Sequence, residues 1–181
     1  MIKHIQYILI LSLCLVNNAL ALIEIDITEG NREPLPIAIS DFFYDEIDSS
    51  KLSEISVNLS NVVKADLERC GLFEPINKDA FIQNNSAMHL RPRFEDWRLI
   101  KSQALVTGKL KIVDGDKLRV EFRLWDTLAE KEIEALVLIT TLDNWRRISH
   151  MISDKVYERL TGERGYFDTR ILYVSESGPK N

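Results

Sequence analysis

Apolar residues recur at three- and four-residue spacing in two long stretches of the chain and alternate singly in several others. This change of period lays out the elements. Leu52, Ile55, Leu59, Val62, Val63 and Leu67 form one stripe, which runs to Cys70 and is stopped by Gly71. Trp145, Ile148, Ile152, Val156 and Leu160 form a second, stopped by Gly162. Such spacing gives an α-helix one apolar face, and a glycine just past the stripe supplies the left-handed residue that commonly ends a helix. Asp48, Ser49 and Ser50 open the first helix, and Asp143 is placed to cap the second.

Strand periods fill the intervals. Leu35 to Phe43 reads as a mostly buried strand, with Pro36 near its start, where a missing N–H does least harm. Leu72 to Ile76 is a short strand, so strand, helix and strand form a βαβ unit with a right-handed crossover, and Lys78 to Gln83 reads as a short helix. A meander follows over Ala104–Val113, Leu118–Asp126 and Ile133–Leu142, with a turn at Asp114, Gly115 and Asp116. In its middle strand Leu118, Val120, Phe122 and Leu124 face one way and Arg119, Glu121 and Arg123 the other. The last strand carries Leu136, Val137, Leu138 and Ile139 in a row and reads as buried on both sides and central. Beyond the polar turn at Glu163, Arg164 and Gly165, Ile171 to Val174 reads as a further buried strand. The predicted fold is α/β of the α+β kind: a small mixed β-sheet covered by two main helices.

Residues 1–21 are of another kind. Lys3 precedes the apolar run Ile8–Val16, and Ala19-Leu20-Ala21 is a small-residue cleavage site, so a secretory signal cleaved after Ala21 is expected. The run is shorter than the ~20 residues of a spanning helix, and bulky Leu13 before Cys14 speaks against a lipoprotein signal. In the following segment Ile23, Ile25 and Ile27 alternate with Glu24, Asp26 and Thr28, until Gly30 and Asn31 break the pattern. This extended peptide could add to the sheet edge of another protein or form an edge strand of its own domain.

Composition narrows the chemistry. The 181 residues, 45% hydrophobic and 28% charged with a net charge of −5, suit one ordinary globular domain or one domain plus a tail, and lack the concentrated basic character of a phosphate-backbone binder. With the signal removed Cys70 stands alone, which excludes an internal disulfide and suits a half-buried packing thiol. His150 and Asp154, four apart on one helix face, offer at most two metal ligands, and nothing completes a zinc set, so they read as a surface pair and no metal or cofactor is expected. No G-x-S-x-G elbow, P-loop or G-x-G-x-x-G follows a strand, which points to binding without catalysis. Residues 84–103 lack periodicity and place Arg91, Arg93, Arg98 and Lys101 beside Phe94 and Trp97. They read either as a solvated loop or as the stacking surface of a nucleic-acid or small-ligand module. An export signal argues against nucleic acid.

Several motifs taken together carry a resemblance over residues 25–181. ITEG and PIAI near the start, then NWRRISHMISDKVYERLTGERGYFDTRILYV and SESG, resemble the TolB family of the Tol-Pal envelope system. The resemblance implies a signal peptide at 1–21, an extended partner-binding peptide at 22–33 and a small α/β domain at 34–165. It implies the start of a β-propeller at 166–181, whose remainder this chain lacks. It further implies a periplasmic, non-catalytic protein that binds TolA through the N-terminal peptide, at Ile23, Ile25, Ile27, Thr28 and Gly30, with no membrane span after signal removal. Pal, which the family engages through its propeller, is expected to bind poorly or not at all. By the same resemblance the system supports outer-membrane integrity and constriction during cell division. Residues 166–181 are expected to be loosely held or to pair back onto the domain, and their deletion to leave the thermal midpoint nearly unchanged.

Overall fold

A computed structural model describes residues 33–45, 50–84 and 91–169. Within these, six strands form one mixed sheet: β1 (Leu35–Ile39), β2 (Phe43–Tyr44), β3 (Phe73–Pro75), β4 (Ala104–Val113), β5 (Lys117–Asp126) and β6 (Lys131–Thr141). Three α-helices accompany them: α1 (Ser50–Arg69), α2 (Phe94–Leu99) and α3 (Trp145–Thr161). The order across the sheet is β3-β1-β4-β5-β6, with β2 paired to β4 beyond the end of β1. β1 runs parallel to β3 and β4, and the β4-β5-β6 meander is antiparallel. The predicted α+β fold, with its mixed sheet under two main helices, is what the chain adopts.

The helical stripes do what their spacing requires. Leu52, Ile55, Leu59, Val63 and Leu67 of α1 and Ile148, Ile152, Val156 and Leu160 of α3 are buried in one core with the inward residues of all three meander strands. Gly71 and Gly162 take left-handed φ values of 76° and 74° as stops. The α3 start differs from expectation. A 3-10 turn over Leu142–Asn144 intervenes, so Asn144 occupies the cap position and makes no side-chain capping bond, while Asp143 lies inside the turn. The opening residues Asp48 and Ser49 of α1, and Ile171 to Val174, lie outside the described residues.

Four further differences have local causes. The single strand expected over Leu35–Phe43 is split, because the chain bends at residues 40–42 and drives Phe42 into the core. Ser56 Oγ on α1 donates to Phe42 O at 2.7 Å and holds the bend from above. The Lys78–Gln83 helix is only a 3-10 turn at Lys78–Ala80, capped by the Asn77 side chain accepting from Asp79 N. In the stretch expected to be irregular, Phe94–Leu99 form α2, whose Phe94 and Trp97 fill a second cluster on the far face with Ala38, Leu105 and Trp125. Last, among the described strands β6 lies at the edge of the sheet and not at its centre: alternate residues Ala135, Val137 and Ile139 are exposed, while Ile133 reaches the core. Its consecutive apolar residues thus divide between a helix-covered face and an open one.

Gly108 marks the tightest point in the sheet. A Cβ there would meet the Phe42 ring at 2.1 Å and the backbone oxygen of Glu121 at 2.5 Å. Gly108→Ala is therefore expected to destabilise the domain by about 1–3 kcal/mol through overpacking. Urea unfolding would show the midpoint falling with little change in slope, and an unchanged midpoint would refute the packing account.

Candidate functional site

The helix layer carries polar residues within its apolar stripes, and these meet where α1 ends. Asp66, one residue before core Leu67, has a side chain only 3% exposed. Its Oδ2 accepts from Ser153 Oγ at 2.9 Å and lies 2.7 Å from His150 Nδ1. The Arg69 guanidinium stands 3.6 Å from the other oxygen but is itself mostly exposed, so solvent screens its contribution. A buried carboxylate is tolerated only with such partners, and here they come from the neighbouring helix, pinning α1 to α3.

Beside this pin lies a groove of about 230 Å³, walled by Asp66, Cys70, His150, Tyr166 and Phe167. Burial pushes the Cys70 thiol up, against the opposing pull of nearby backbone hydrogen bonds. Its Sγ donates to Leu67 O at 3.0 Å. A thiol held protonated in this way is a packing group and a poor nucleophile.

The segment after α3 forms the outer wall. Asp154 accepts the backbone N–H of Phe167 at 2.6 Å with Oδ1 and that of Asp168 at 3.2 Å with Oδ2. Arg147 Nε donates to both carboxylate oxygens of Asp168, at 3.3 and 3.2 Å. Tyr157 of α3 contacts both Tyr166 and Phe167 edge-on, at 5.4 and 5.9 Å between ring centres, and Phe167 packs against the main core. Gly165 is required for this return, since a Cβ would lie 2.5 Å from Asp154 Cα.

The partner-binding residues expected from sequence, Ile23, Ile25, Ile27, Thr28 and Gly30, lie outside the described residues, as do Ala19 and Ala21 of the cleavage site. Their attachment point is described: exposed Glu33 and Pro34 lead into Leu35, whose N–H bonds Leu72 O at 2.9 Å. His150 and Asp154 do not form the expected surface pair. One turns to Asp66 on α1 and the other caps the chain at Phe167, so the two face different neighbours.

The described part of the basic, aromatic stretch does not offer its rings for stacking. Phe94 and Trp97 are buried, Trp97 Nε1 donates to Gln83 Oε1 at 3.3 Å, and Arg98 pairs with Glu130 at 2.5 Å. Arg93 pairs with Asp96 at 2.7 Å. Among the described residues no three His, Cys, Asp or Glu side chains are grouped to hold a metal ion, and no helix is long and apolar enough to cross a membrane.

Asp66 and Ser153 were the residues that periodicity passed over. The available signal was a polar side chain on the buried face of a helix, visible at Ser56, Ser60 and Asp66 of α1 and at Ser149 and Ser153 of α3.

Comparison with known proteins identifies the lineage. The TolB amino-terminal domain family matches residues 23–133. The chain belongs to the TolB family. The Tol-Pal system protein TolB of Pelagibacter ubique is 54% identical over 97% of this chain. The chain spans 40% of that relative's length. Among solved structures, TolB from Acinetobacter baumannii superposes with a TM-score of 0.60 at 24% identity, over 80% of this chain and 32% of that one. A hypothetical protein from Chlamydia trachomatis superposes with a TM-score of 0.52 at 14% identity, over 72% of this chain and all of that one. Both likenesses concern the fold, which the TolB amino-terminal domain shares.

The anchored return of residues 166–168 changes one expectation. Asp154→Ala strips two backbone N–H groups of their acceptor and is expected to cost about 1–3 kcal/mol, with faster hydrogen exchange at Phe167. Deleting residues 166–181 removes Phe167 from the core, so the thermal midpoint should fall, by about 2–4 °C per kcal/mol lost, where the sequence alone suggested almost no change. A midpoint unmoved by both changes would show that the return contributes nothing.

Proposed function

We propose that this chain acts as a non-catalytic component of the Tol-Pal envelope system in the periplasm, exported by the signal at 1–21 and cleaved after Ala21. The N-terminal peptide, residues 22–33, binds TolA by adding as a strand to an exposed sheet edge. Main-chain bonds supply affinity, and Ile23, Ile25 and Ile27 on one side of the strand supply selectivity. Thr28 contributes its β-branched side chain and Gly30 releases the strand toward the body. Through this link the protein supports outer-membrane integrity and constriction during division. The α/β body from residue 34 onward is the carrier, and residues 166–181 begin a propeller.

The observation that supports this reading most is the 54% identity to a Tol-Pal system protein TolB over 97% of this chain, a share wide enough to take in the N-terminal peptide as well as the body. The peptide's alternation is the physical reason for choosing strand addition over a docked helix or a pocket.

Titration of the TolA C-terminal domain into residues 22–181 and into residues 34–181 tests it. Binding should occur with the longer chain and disappear with the shorter, since the shorter still begins before Leu35 and keeps the whole described sheet. Ile25→Lys with Ile27→Lys in the longer chain should reproduce the loss. Equal binding by both lengths would move the site to the folded body, and binding by neither would refute the TolA assignment for this chain.

A further inference from the structure

We draw no further inference here: the strongest candidate, the groove between the end of α1 and the chain returning after α3, walled by Asp66, Cys70, His150, Tyr166 and Phe167, carries nothing, because its buried carboxylate is already engaged by His150, Ser153 and Arg69 and nothing among the described residues shows what covers its open side.

Discussion

The close approach of Phe42 to Gly108 is the contact on which the sheet depends. β4 is the strand that every other part of the fold is measured from, with β5 along one side and both β1 and β2 along the other. β1 pairs with β4 up to Val106, and β2 resumes pairing at Lys109. Between them the chain bends away, with Ser40 N bonded to Val106 O at 3.0 Å. The bend lets Phe42 drop its ring onto the only position in β4 that has no side chain. Glycine weakens a strand in isolation, and here the ring restores the lost packing. Asp41, at the outer corner of the bend, is held by Lys78 and by Ser60 Oγ, which ties the sheet margin to α1 and to the connection after β3.

Period alone carried most of the architecture. The stripes of α1 and α3, the glycines that stop them and the clean alternation of Leu118, Val120, Phe122 and Leu124 in β5 each demand one surface partner, and a mixed sheet under two helices satisfies all of them. What was not legible is what period does not encode. A six-residue helix such as α2 is less than two turns long, so Phe94 and Trp97, three apart, are its whole apolar face. The row Leu136 to Ile139 satisfies the pattern of a central strand as well as that of an edge strand with a tolerated exposed face. Strand order, which chooses between them, is a property of the assembled sheet.

The polar pin between α1 and α3 was illegible for a different reason. Asp66, His150 and Ser153 are each ordinary on their own helices, and their meaning comes from an encounter across 84 and 87 residues of sequence. His150 and Asp154 illustrate the same point from the other side. Their spacing is that of a helix-surface pair, but α3 is embedded between α1 and the returning chain, so each carboxylate or imidazole finds a stronger partner off the helix. A polar residue inside an apolar stripe is the one local sign that such an encounter exists, because burial without a partner is costly.

Both ends of the described chain converge on Phe73. Leu35, the first residue of β1, lies beside it in register, and Tyr157 meets its ring edge-on at 6.4 Å. Tyr157 in turn holds Phe167 and Tyr166. The path from the base of the N-terminal peptide to the segment returning after α3 therefore runs through β3 and one aromatic contact, all on rigid elements. Proximity of this kind does not make the two ends communicate. Coupling requires an element with two arrangements that both ends bias, and Phe73 is 2% exposed and packed on every side by the core. A closely packed core side chain has little room for a second arrangement. The body therefore serves as a fixed frame on which the two ends are held side by side, with Tyr166 and Phe167 anchored on Asp154 and Tyr157 at its margin.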